Sequence, residues 1–256
     1  MRKLGLIFGA ILLVGVSVTL AAAQTSVPTV AVTAARGNIT LEPSGPIAGG
    51  PTRFTFDGRG ELNLATLRAG VTVDQLRRTL RRNEDAALRQ VFLEAAVLPG
   101  RPVTVDLRPN TTYVAAARAG RSQAITTFTT GTRSGARAPA PDGRIRMVDY
   151  GFRGPKTLPR DGRIRVRNDG TTFHFAIAFP LRPGTSGGEV RRAFRAGNER
   201  VFGRIVAGES VDVQGLVSQG STTDNEVRFP RRGRYAMVCF FGEHNQLGMY
   251  RVYRVR

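Results

Sequence analysis

Cys239, His244 and Met249 form a Cys-x4-His-x4-Met motif, and the only other histidine in the 256-residue chain is His174. One thiolate, one imidazole and one thioether on a single loop can converge on a point, with His174 as the sole source of a second imidazole. Two His and one Cys in a trigonal array, with a weak, long axial Met, make the ligand set of a blue-copper electron-transfer site. The soft thiolate binds copper covalently, the imidazoles suit both of its oxidation states, and a weakly held thioether favours the reduced ion. Taken singly, a Cys at a strand end is ordinarily a small buried hydrophobe, a Met ordinarily core, and either His an ordinary core or loop residue. The conjunction carries the assignment, because the lone cysteine and both histidines all fall in the set.

Such ligands need rigid supports, and the sequence supplies strands around them. Residues 235–240 and 249–255 read as strands flanking the loop, and His174 lies in the alternating run 173–179. Further strand-like runs fall at 163–167 and 226–229, and at 52–56, 62–67, 103–107 and 113–117 nearer the N-terminus. With 30 Gly, 14 Pro and many short runs between turn residues, an all-β sandwich architecture is expected. The segment 131–142 is built from Gly, Pro, Ala, Ser and Arg without apolar periodicity. It reads as a linker between an N-terminal domain, 24–130, and a C-terminal domain, 143–256.

The two halves resemble each other. Residues 60–80 align with 174–194, sharing Leu67/Leu181, Arg68/Arg182 and Gly70/Gly184, and residues 106–117 align with 228–239, placing Tyr113 against Tyr235. The common order is a strand, a Leu-Arg-x-Gly turn, a short amphipathic helix, and strands ending in the Tyr segment. Ala117 falls opposite Cys239, and Gly60 or Glu61 opposite His174, so the first half is expected to be a metal-free copy and the chain to hold one copper.

Composition narrows the classes further. Thirty-eight basic against 19 acidic residues give a net charge of +19. Yet no basic run is interleaved with stacking aromatics, and Trp is absent, so a specific nucleic-acid role is not expected. One Cys excludes an internal disulfide and any multi-thiolate zinc site, and two His fall short of a multicopper oxidase's needs. Arg2-Lys3, an apolar run over 4–20 and Ala21-Ala22-Ala23 before Gln24 read as a signal peptide, 1–23, giving a secreted, periplasmic or cell-surface protein. An uncleaved membrane anchor is the alternative. Phosphate-loop and hydrolase signatures are missing, so catalysis is not expected.

At this point the C-terminal half resembles the cupredoxin family, in particular its plastocyanin-like domains. Gly233-x-Tyr235-x-x-x-Cys239 is similar to the family's strand entering the copper loop, and His244-Asn-Gln-Leu-Gly248-Met249 to its ending. His174 follows Asn168-Asp169-Gly170, as the family's upstream histidine follows a turn. The Cys-to-His spacing departs from plastocyanin and is similar to that of azurin and rusticyanin. The resemblance implies two tandem Greek-key sandwiches, metal ligands His174, Cys239, His244 and Met249, and one-electron transfer with a redox partner protein, which the arginine excess would make an acidic one. It also implies an exposed His244 ringed by apolar residues, for which Phe241, Leu247 and the loop glycines are candidates. A copper carrier or sequestering protein with the same ligands, and a metal-free interaction module, remain as alternatives.

Overall fold

The computed structural model describes residues 26–119, 122–196 and 199–256. The expected signal peptide, 1–23, lies outside the described residues. In the first half the order is β1 (Thr29–Ala35), β2 (Asn38–Pro43), β3 (Ala48–Asp57), β4 (Arg59–Leu67), α1 (Val73–Arg82), α2 (Glu84–Leu88), β5 (Val91–Val97), β6 (Val103–Leu107), β7 (Thr112–Ala119), β8 (Ser122–Thr129) and the short β9 (Gly131–Arg133). The second half runs β10 (Gly143–Val148), β11 (Gly151–Arg153), β12 (Thr157–Leu158), β13 (Asp161–Asn168), β14 (His174–Pro180), α3 (Gly187–Arg195), α4 (Glu199–Ile205), β15 (Val211–Val217), β16 (Thr222–Arg228), β17 (Gly233–Val238) and β18 (Tyr250–Val255). The expectation of all-β tandem sandwiches holds. Gly131–Arg133, at the start of the segment read as a linker, pair with β3.

Alternation of buried and exposed residues along the strands shows why they form. Val30, Val32, Phe54 and Phe56 point from one sheet toward Leu62, Leu64, Tyr113 and Ala115 of the other, making the first core. Ile145, Met147, Ile164 and Val166 meet Ala176, Ala178, Tyr235 and Met237 in the second. Helices start where the chain supplies caps. Thr72 caps α1 with Gln75 answering, and Ser186 caps α3 with Glu189 answering, the same reciprocal box at aligned positions.

Strand pairing supports the duplication residue by residue. Asn63 pairs with Ala116 and Ile177 with Val238, and these are counterparts in the sequence alignment. The halves are fused through β6 and β16, which pair antiparallel with Val103 opposite Asn225. Extending the alignment three residues upstream makes Val103 and Asn225 counterparts too, so a local pseudo-twofold passes between them. The result is one nine-stranded sheet backed by a four-stranded sheet, β5-β4-β7-β8, and a five-stranded sheet, β12-β18-β17-β14-β15.

Polar contacts lock this junction. Arg53 donates to both oxygens of Glu226, at 2.7 and 3.0 Å. The Leu93 N–H donates to Ser218 Oγ at 2.9 Å, while its carbonyl accepts from Ser218 N at 3.0 Å and from Ser221 Oγ at 2.7 Å. Among the described residues no helix is long and apolar enough to cross a membrane. Ser218→Ala leaves the buried Leu93 N–H without its acceptor and is expected to cost about 1–3 kcal/mol. Chemical denaturation checks this, and unchanged stability would contradict the junction's role.

Candidate metal centre

His174 opens β14, and Cys239 follows directly on β17, the strand paired with β14. The loop after Cys239 then folds back on itself. His244 N–H donates to Phe241 O at 3.2 Å, Met249 N–H to His244 O at 2.8 Å, and Cys239 N–H to Met249 O at 3.2 Å. Gly248 takes φ +111°, a conformation a side chain would disfavour, and so lets the chain turn into Met249. Asn245 Nδ2 donates to Phe194 O at 3.1 Å, tying the loop to α3.

These supports bring three donor atoms together. The ligand atoms of His174, Cys239 and His244 all lie within 4.8 Å of one another. Cys239 Sγ is 4.0 Å from His174 Nδ1 and 3.7 Å from His244 Nδ1. First-row metal–sulfur and metal–nitrogen bonds of about 2.3 and 2.0 Å, opened at about 120°, separate S and N by roughly 3.7 Å. The spacing therefore fits one ion at the centre of a trigonal set. Cys239, His174 and Met249 are fully buried and His244 is 8% exposed. Met249 shares the core cluster of Cys239 and is joined to it through the backbone. The buried cluster with Met249 beside it fits a type 1 copper site.

Two residues shape this cluster, Asp149, which the sequence reading did not single out, and Gly170, which it placed in the turn before His174 without this role. Asp149, in the turn after β10, accepts from His174 Nε2 at 3.2 Å, which leaves Nδ1 free to face Cys239. Its carboxylate is held by Thr171 N–H and Oγ1, and these bonds keep Asp149 below the ordinary carboxylate range. Parallel pairing of β10 with β13 brings it here, a long-range placement with no local signature. The second is Gly170, where an added Cβ would lie 2.3 Å from His174 Nε2 and 2.6 Å from Asp149 Oδ1. Asn168, fully buried, fixes that turn by donating to Thr172 O and Val217 O and accepting from Gly170 N–H.

Burial sets the protonation of the donors. It lowers His174 and His244 below the ordinary histidine range, so both stay neutral and able to bind metal further into acid. Burial raises the Cys239 thiol, against backbone hydrogen bonds from Phe175 and Phe241 that favour the thiolate. Tyr150, half exposed and at φ +60°, meets the His244 ring edge-on at 5.6 Å, and Phe241 approaches it at the same centroid distance. Leu247 is 57% exposed. His244 is thus less exposed than the resemblance implied, because Tyr150, arriving from the turn after β10, packs its edge.

In the first half the counterpart position of Cys239 is Ala117, and Gly60 or Glu61 falls opposite His174; among the described residues no donor cluster forms there. No protein-family model matches the chain, and no curated protein matches it. Among solved structures, the chain is similar to reduced auracyanin from Roseiflexus castenholzii, at 15% identity over 44% of this chain and 94% of that one, TM-score 0.28. Auracyanin A from Chloroflexus aurantiacus, described as a blue copper protein, matches at 16% identity over 44% of this chain and 96% of its own, TM-score 0.28. Copper nitrite reductase from Nitrosomonas europaea matches at 12% identity over 89% of this chain and 93% of its own, TM-score 0.28. These likenesses are distant, and the donor geometry stands independently of them.

Three outcomes follow from this geometry. Gly170→Ala is expected to push the His174 imidazole off its position and weaken copper binding by roughly 10–100-fold in chelator competition; unchanged affinity would contradict the clamp. Cys239→Ser should lose copper on dialysis, whereas Met249→Leu should retain it with a raised potential by voltammetry. At neutral pH, copper uptake should release about one proton, from the Cys239 thiol, and none from the already neutral imidazoles. Titration in a weakly buffered solution measures this, and release of two or more protons would contradict the assigned protonation.

Proposed function

We propose that the chain is an exported type 1 copper protein that transfers single electrons, and that His174, Cys239, His244 and Met249 would hold the metal. The observation that carries this reading is a trigonal donor set already assembled in a dry core. When bound, copper supplies the one-electron redox couple. The chain's own residues do the rest. The paired strands β14 and β17 fix the distance between His174 and Cys239, Asp149 and Gly170 fix the imidazole's orientation, and the packed core keeps water from the thiolate. Such constraint limits rearrangement between oxidation states. With both histidines committed to the metal, this chain has no imidazole left for acid–base catalysis or a second copper centre, which favours transfer over catalysis.

His244 is the ligand nearest the surface, with exposed Tyr150 and Leu247 in its neighbourhood. A partner can press against these apolar side chains without stripping water from a charge, while the arginine excess draws an acidic partner in. Electron self-exchange, followed by NMR line broadening in mixtures of oxidised and reduced protein, tests the route. Leu247→Asp is expected to slow exchange while leaving the absorption spectrum unchanged. An unchanged rate would sink the route, and ready surrender of the metal to a competing chelator, with no electron exchange, would favour copper carriage. The expected leader predicts that protein recovered from its producing cells begins near Gln24, as N-terminal sequencing would show.

A further inference from the structure

The metal-free half contains a cavity of about 310 Å³ between the outer face of β4 and β7 and the α1–α2 pair. Its origin lies in the duplication. At the same place in the second half, the space under α3 and α4 is filled by Phe179, Phe194 and Phe202, with ring centroids 4.7 Å apart for Phe179 and Phe202 and 5.3 Å for Phe194 and Phe202. The counterparts of Phe179 and Phe194 in the first half are Ala65 and Leu80, and the matching bonds Arg68 N–H to Gln90 O and Arg182 N–H to Ile205 O place Ala87 opposite Phe202; all three line the cavity. Val238 likewise gives way to Ala116, another lining residue. The two halves share the backbone frame, and the first carries smaller side chains where the second carries the phenylalanines that plug it.

What the space would accept follows from its walls. The lining is mostly aliphatic and closes on Phe241 of the copper loop, but three carboxylates also border it, Glu61, Glu84 and Asp85. Glu84 accepts from Gln123 Nε2 at 3.1 Å and stands 3.5 Å from Arg118. Glu61 sits deeper, where it accepts from Asn63 Nδ2 at 3.3 Å, and burial raises its carboxyl above the ordinary range. Acidic groups around an apolar cavity, on a chain of net charge +19, are a local reversal of sign. We propose that this cavity binds a small organic cation with an apolar ring, an aromatic or alicyclic amine, its ring taking the place of the missing phenylalanines and its ammonium paired with Glu61.

Phe241 gives the site a bearing on the metal centre, because its ring also contacts Phe173 at 5.8 Å and His244 at 5.6 Å. The ligand would lie one aromatic ring away from a metal ligand. Binding itself requires no metal, so the inference stands or falls separately from the copper reading.

Calorimetric titration of the metal-free full chain with benzylamine, and with benzyl alcohol as its neutral counterpart, is the test. Saturable binding of one benzylamine per chain is expected, with benzyl alcohol and the Glu61→Gln variant each weaker by roughly tenfold, the loss of one charge-assisted hydrogen bond. Ala65→Phe, which copies the second half, should abolish binding; Ala87→Phe serves if Ala65→Phe fails to fold. No saturable binding to the wild-type chain, or equal binding to a folded cavity-filling variant, would overturn the proposal. Equal affinity for benzylamine and benzyl alcohol would overturn its cationic part.

Discussion

The metal centre depends on one distance constraint. Cys239 Sγ has to lie within a single ion's reach of two Nδ1 atoms, one from a residue 65 positions away and the other from a residue five positions away. The long separation is bridged by the antiparallel pairing of β14 with β17, and the short one by the turn-rich loop that returns to Met249. Each depends on further structure. β14 is held because its flanking turn is fixed by the buried Asn168, and the loop is held because Asn245 anchors it to α3. Burial then keeps the imidazoles neutral and the donors dry, at the cost of a thiol that resists ionisation until a cation arrives.

The same frame occurs twice and has been put to different ends. Joined through β6 and β16 around the Val103–Asn225 pair, the two halves share one sheet, and each caps its first helix with the same reciprocal box. In the second half the strand ends carry donors and the outer face is packed with phenylalanine. In the first, Ala117 replaces the thiol and smaller side chains leave a cavity beneath the helices. The buried contacts of Leu93 with Ser218 and Ser221 make the first half a fixed wall beside the copper loop.

Much of this was legible in the sequence because it is local or periodic. Alternation revealed β4, β6, β7, β13 and β14, the repeated Leu-Arg-x-Gly turn placed a short helix in each half, and the rarity of Cys and His isolated the donors. The alignment of the halves was also readable, and the pairings Asn63–Ala116 and Ile177–Val238 obey it. Asp149 and Tyr150 were not legible, and Gly170 was legible as part of the turn before His174 but not as its clamp. Their importance comes from the parallel packing of β10 on β13, which sets a turn against His174 from another part of the chain. No spacing rule links a carboxylate to an imidazole 25 residues later, with three strands between them. The first-half cavity was hidden for a related reason, since it consists of what Ala65, Leu80 and Ala87 fail to fill.

The most direct test of the account is the visible absorption spectrum of the copper-loaded wild-type protein. A buried thiolate bound to copper in a trigonal array with two imidazoles predicts an intense sulfur-to-metal charge-transfer band, and hence a blue solution, at one copper per chain. A colourless protein that holds copper stoichiometrically would contradict it, because the metal would then be bound without Cys239.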